Sequence, residues 1–155
     1  MGKAALLISL LVALLSASAR ADDRARREPT SSEPLAIDVL RTEDLQSLPY
    51  ICECEFFRGP INGTTTVFAT RKERTVAFAM VDGRLVSFQR GGKPANLSCR
   101  KKLRYHERWV DGPTAVGLDY QVTGSGEESC WFEGKMSVTV GRRIASTSIS
   151  GACGC

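Results

Sequence analysis

Two Cys-X-Cys pairs, Cys52/Cys54 and Cys153/Cys155, constrain this 155-residue chain more than any other feature. The first lies in Pro49-Tyr-Ile-Cys-Glu-Cys-Glu-Phe-Phe57, a run rich in strand-forming residues. The second ends the sequence. In an extended strand, residues two apart point to one face, so each pair presents both sulfurs on one side. A single antiparallel register opposes Cys52 to Cys155 and Cys54 to Cys153. Non-hydrogen-bonded sites repeat every two residues with Cα atoms about 4.5 Å apart, at the short end of the range a disulfide spans. A parallel arrangement, Cys52 with Cys153 and Cys54 with Cys155, stays open. Cys99 and Cys130 remain as a third pair, and spacing alone does not choose among the connectivities of six cysteines.

The N-terminus sets the compartment in which such bridges form. Lys3, the apolar run from Ala4 to Leu15 and the small residues Ala17-Ser-Ala19 and Ala19-Arg-Ala21 have the layout of a secretory signal peptide over residues 1–21. The apolar run is shorter than the roughly 20 residues of a membrane-spanning helix, and no later stretch is apolar enough, so no transmembrane segment is expected. A secreted or periplasmic location follows, and such oxidising compartments favour disulfides. Residues 22–33 mix both charge signs with Pro29, Thr30, Ser31 and Ser32, and read as a mobile tail. Residues 34–155 read as one β-rich domain, long enough for its own core.

Inside that domain, strand patterns alternate with turn signals. Leu35, Ile37 and Val39 alternate with Ala36 and Asp38, and Thr42 is placed to cap a short helical turn reaching Leu48. Asp82-Gly83 is the strongest hairpin signal. A two-residue turn there opposes Val81 to Arg84, Met80 to Leu85, Ala79 to Val86 and Ala77 to Phe88. Both faces near the turn carry apolar groups, so the hairpin is not expected at an exposed edge. Residues 99–110 and 114–122 read as strands. Met136, Val138 and Val140 alternate with polar residues, and the opposite parity of Ile144 and Ile149 suggests a bulge in the last strand. The expectation is an all-β fold, a small antiparallel barrel or sandwich of about eight strands, stapled by Cys52, Cys54, Cys99, Cys130, Cys153 and Cys155. Pairing the first cysteine strand with the last would close a barrel.

Charge is uneven. The formal net charge is +4. Residues 1–21 contain two cations, Lys3 and Arg20, while the part from Pro49 onward holds fifteen basic and ten acidic residues. An excess this small does not imply nucleic acid. It concentrates at Arg100, Lys102, Arg104, His106 and Arg108, which share one face if residues 99–110 form an unbroken strand. Such a stripe suits an anionic ligand or an acidic protein surface. It also serves as a solvated, aggregation-resistant strand face, with no partner at all.

Catalytic signatures are missing. His106 is the sole histidine, and no Gly-X-Ser-X-Gly motif accompanies it. There is no phosphate-binding loop, dinucleotide fingerprint or histidine-based metal motif, so neither cofactor nor metal is expected. Cys-X-Cys is also tighter than the usual zinc spacing. Asn62-Gly-Thr64 and Asn96-Leu-Ser98 match the glycosylation pattern, which matters only in a eukaryotic secretory pathway.

Three segments, Tyr50-Ile-Cys52, Val81-Asp-Gly-Arg84 and Cys130-Trp-Phe-Glu-Gly134, resemble the small periplasmic β-barrel inhibitors of c-type lysozyme. The Ser-Gly-X-X-Tyr loop motif of that family's contact site is missing, so no functional residue is carried over. The expectation is therefore a secreted or periplasmic non-enzymatic binding module, inhibitor-like in build, with a basic contact face. The alternative is a thiol-redox or metal-handling protein that uses the Cys-X-Cys pairs.

Overall fold

A computed structural model describes residues 33–46, 53–61, 65–71, 73–93 and 96–154. The expected signal peptide, nearly all of the tail, Cys52, Cys155 and Asn62 lie outside the described residues. Among the described residues nine strands and one helix follow in order: β1 (Ile37–Asp38), α1 (Thr42–Gln46), β2 (Glu53–Arg58), β3 (Thr66–Arg71), β4 (Val76–Val81), β5 (Arg84–Arg90), β6 (Arg104–Asp111), β7 (Thr114–Ser125), β8 (Ser129–Val140) and β9 (Arg143–Gly154). From β2 to β9 every strand pairs antiparallel with its sequence neighbours, and β9 pairs back onto β2. The result is a closed eight-stranded antiparallel barrel with β1 as an extra strand. Closure removes the free edges that an open sheet must otherwise protect. No helix among the described residues is long and apolar enough to cross a membrane.

The closing seam lies where the first cysteine strand meets the last. Cys54 is opposed to Cys153 across β2 and β9 and bonded to it, with Cα atoms 4.0 Å apart. Thr70 Oγ1 accepts the Cys54 N–H at 3.0 Å and ties β3 to the same corner. Cys99 and Cys130 form a second disulfide. The Asp82-Gly83 hairpin has the expected register, from Val81↔Arg84 to Ala77↔Phe88. Both turn residues are left-handed, with φ of 48° and 71°, the geometry whose twist matches the flanking strands.

Strand alternation fills the interior. Phe56, Phe68, Phe88, Trp109, Phe132 and Met136 are fully buried, at about 1.5 to 3 kcal/mol each for side chains of this size. Phe68 meets Trp109 edge-on with centroids 5.6 Å apart, and Phe56 lies 5.3 Å from Tyr120. Gly151 stands opposite Phe56, and a Cβ there would sit 2.8 Å from that ring.

Three expectations change. The strand expected from Cys99 begins only at Arg104. Lys102 has a φ of 72°, and Leu103 N–H donates to Arg100 O, so residues 100–103 form a turn. No bulge separates Ile144 from Ile149 in the β8–β9 register; Ile144 points outward, 70 % exposed, and Ala145 takes the inward position. The register shifts lie instead between Phe56 and Phe57 and between Val122 and Gly124. The helix spans Thr42–Gln46, so Thr42 is its first helical residue; Asp44 accepts the Arg41 N–H at 2.9 Å, a capping contact one residue earlier than expected.

β1 extends the sheet where β3 stops. Ile37 and Asp38 pair with Val81 and Met80, and Leu40 N–H donates to Thr66 O. Asp82 N–H donates to Ala36 O, the Ala36 N–H donates to Asp82 Oδ1, and the Gly83 N–H donates to Asp38 Oδ2. The segment before the barrel is thereby stitched to the β4–β5 turn.

Candidate functional site

In β6 the alternation is strict. Tyr105, Glu107 and Trp109 are buried, whereas Arg104, His106 and Arg108 are exposed. Three members of the basic stripe therefore share one outer face. Arg100 and Lys102 lie in the preceding turn with Lys101, all exposed. The turn places them beside the strand end rather than in its line: Lys102 N–H reaches Val122 O on β7.

Elsewhere on the barrel several cations are engaged by carboxylates. Arg71 lies 3.7 Å from Glu55, Arg74 and Arg90 pair with Glu107, and Arg143 bonds Asp82 at 2.7 Å. Among the described residues, Arg100, Lys101, Lys102, Arg104 and Arg108 have no carboxylate partner. Their guanidinium and ammonium donors remain solvated and available.

His106 is the exception within the stripe. The β6–β7 register sets it opposite Asp119, and Nδ1 pairs with Oδ1. The pair flanks a shallow groove of about 210 Å³ that crosses β6, β7 and β8. Tyr105, Tyr120 and Gly134 contribute to it, with Arg104, Gln121 and Glu133 on one side and His106 and Asp119 on the other. Gly134 has a steric reason to be glycine, since a Cβ there would come within 2.1 Å of Asp119 O. Among the described residues no hydroxyl or thiol is hydrogen-bonded to His106, so the pair has no attached nucleophile. Among the described residues no three histidine, cysteine, aspartate or glutamate side chains are placed to hold a metal ion together.

Beneath this face lies a polar cluster that periodicity alone does not reveal. Glu107 points into the barrel and accepts hydrogen bonds from Tyr120 Oη at 2.6 Å, Trp109 Nε1 at 3.2 Å and Arg74. Arg90 Nη2 lies 3.1 Å from the same carboxylate, and its guanidinium lies over the Trp109 ring, 5.2 Å from the centroid. Burial holds the Tyr120 hydroxyl above the usual tyrosine value, against the lowering pull of Arg74. Burial, then the Arg74 charge, lowers Arg90. Two guanidiniums share one carboxylate here, which fixes the inner side of β6 and leaves its outer side for contacts. The one available signal was Glu107 itself, a carboxylate in phase with Tyr105 and Trp109.

Cys54, Cys130 and Cys153 are buried, and Cys99 is half-buried. Among the described residues no cysteine is free. Burial and bridging suit a scaffold, because reactive thiols need exposure. Comparison with known proteins adds no assignment: no family model, curated protein or solved structure matches the chain.

Proposed function

We propose that the protein is a secreted or periplasmic binding module without enzymatic activity, and that it contacts an anionic partner through the outer face of β6 and the turn before it. The observation that supports this is the group of five exposed cations without carboxylate partners, Arg100, Lys101, Lys102, Arg104 and Arg108, in one nine-residue segment. Arg104 and Arg108 are four residues apart on one strand face, about 13 Å along the chain. That spacing suits repeated negative charge, as on a sulfated or phosphorylated polymer or an acidic protein surface, better than a single small anion. The closed, aromatic-filled barrel supplies a rigid support for such a face.

The test compares two charge-matched variants on immobilised heparin and on an acidic protein surface. Arg104→Glu/Arg108→Glu should weaken binding at least tenfold and flatten its salt dependence. Lys135→Glu/Arg142→Glu, with the same net charge, should leave it within about twofold. Equal losses in both variants would show that net charge alone drives binding and that the β6 face has no special role.

A further inference from the structure

Trp131 is large, apolar and exposed, and its neighbours are arranged around its ring. It lies on the outer face of β8 between the buried Cys130 and Phe132, and it is 41 % exposed. The register sets Gly124 of β7 on one side of it and Ala152 of β9 on the other. A Cβ at Gly124 would lie 2.8 Å from Trp131 Cε3 and 3.4 Å from Cζ3. A Cβ at Gly126 would lie 3.7 Å from Cη2 and 3.9 Å from Cζ2. Neither glycine has a positive φ, so turn geometry does not require them. At Gly124 the indole does, since a side chain there would displace its benzo ring; at Gly126 the ring atoms are at ordinary contact distance and the tightest neighbour is Ser129 Oγ, at 3.0 Å. The register shift between Val122 and Gly124 lies at the same place. Bulges of this kind re-aim local groups and recur beside functional sites.

The ring is thus held by glycine backbone on one side and open on the other. Carboxylates lie around it along β8, while the cationic turn of residues 100–102 borders it across β7, where Lys102 N–H donates to Val122 O. Glu127 and Glu128 are exposed in the β7–β8 turn, and Glu133 is exposed on the same face of β8, about 7 Å along the strand. Among the described residues none of these three carboxylates has a basic partner. A π-face rimmed by unpaired carboxylates attracts cations by two additive routes, the ring quadrupole and ordinary charge.

We propose that this surface is a second docking site, adjoining the basic face, for an arginine- or lysine-bearing segment of a protein partner. One cationic side chain lies over the open face of Trp131, and Glu127, Glu128 and Glu133 pair with its neighbours. The charge complementarity selects this occupant over a neutral sugar, which would stack on the ring without using the acidic rim.

The test uses the whole protein and an acetylated, amidated tetra-arginine peptide, with neutral chitotetraose as the competing probe. The readouts are the two indole Nε1–H resonances and the dissociation constant. The peptide should move the Trp131 resonance and leave that of buried Trp109 in place. Trp131→Leu should weaken peptide binding about fivefold, in line with an exposed cation–π contact. Glu127→Gln/Glu128→Gln/Glu133→Gln should weaken it and reduce its salt dependence, and Arg104→Glu/Arg108→Glu should not weaken it. An unchanged Trp109 resonance in each variant reports that the barrel is intact. The proposal is overturned if chitotetraose moves Trp131 while the peptide does not, if neither probe moves it, or if the peptide binds Trp131→Leu as tightly as the parent chain.

Discussion

Cys54 and Cys153 face each other across the β2–β9 seam, the pairing that turns a meander into a closed barrel. The bond spans a sequence separation of 99 residues, against 31 for Cys99–Cys130. In the chain-entropy picture the longer loop contributes about 4 to 5 kcal/mol and the shorter about 3 to 4 kcal/mol. Cys54→Ala/Cys153→Ala should therefore lower stability more than Cys99→Ala/Cys130→Ala, as read from denaturation midpoints. It should also speed amide exchange first along β2 and β9. Uniform loss of protection around all eight strands would contradict a seam that opens locally. Alkylation of the native protein without reductant should leave Cys54, Cys99, Cys130 and Cys153 unlabelled. Ready labelling of any of them would revive the thiol-redox reading.

Glu107 balances Arg74 and Arg90 inside the barrel, and its removal would strand two buried guanidiniums. Breaking a buried pair by deleting one partner costs about 3 to 5 kcal/mol. Glu107→Ala should fall in that range by equilibrium unfolding. Arg108→Ala, next to it but outward, should cost less than about 0.5 kcal/mol. A loss below 1 kcal/mol for Glu107→Ala would mean that water readily solvates the interior guanidiniums.

The pH dependence runs in opposite directions at two residues. Asp82 is held below its ordinary value of 3.8, first by the Ala36 N–H it accepts and also by Arg143. A depressed folded-state value means that its contribution is present above about pH 4 and fades as pH falls through the lower folded value. Acid should release β1 before the barrel melts, seen as faster exchange at Ala36 and Gly83. Asp82→Asn should show that loosening at neutral pH. Tyr120 is raised by burial. Its contribution is complete below the unfolded-state value of about 10 and is lost as pH climbs through the folded one. Tyr120→Phe should flatten the alkaline limb of the stability curve; an unaltered limb would assign it to other groups.

Local chemistry made part of this fold readable, and long-range pairing made the rest. Asp82-Gly83 was legible because a two-residue turn determines every cross-strand partner after it. Cys54 and Cys153 were legible because a period of two restricts their register. The strand boundary at Cys99 was misjudged because alternation continues on paper through a turn that Lys102 makes with a left-handed backbone. Ile144 was misplaced because an exposed isoleucine breaks the inward pattern without any bulge. In the candidate site, parity correctly put Arg104, His106 and Arg108 on one face. It gave no sign that Asp119 engages His106, or that Arg74 and Arg90 converge on Glu107, since these partners come from other strands. Trp131 was visible as a residue, but its glycine support depends on a register shift that no local pattern announces.

Two glycines, Gly134 in phase with the inward Phe132 and Met136 and Gly117 on the outer face, test how closely β7 and β8 are packed. At Gly134 an added Cβ would meet backbone, 2.1 Å from Asp119 O and 2.6 Å from Tyr120 Cα. Relief requires β7 and β8 to separate, which disturbs the Tyr120–Glu107 contact behind them and the groove in front. At Gly117 the added Cβ would meet only Ser137 Oγ, at 2.9 Å, and that hydroxyl can turn away from the Gly117 carbonyl it bonds at 3.4 Å. Gly134→Ala should therefore destabilise by at least the roughly 1 to 3 kcal/mol of an overpacked site and shift the His106 and Asp119 resonances. Gly117→Ala should stay within about 1 kcal/mol of the parent, the worth of one hydrogen bond. Equal effects at the two positions would mean that β7 and β8 part as easily as a serine rotates, and the groove would then be too soft to orient a ligand.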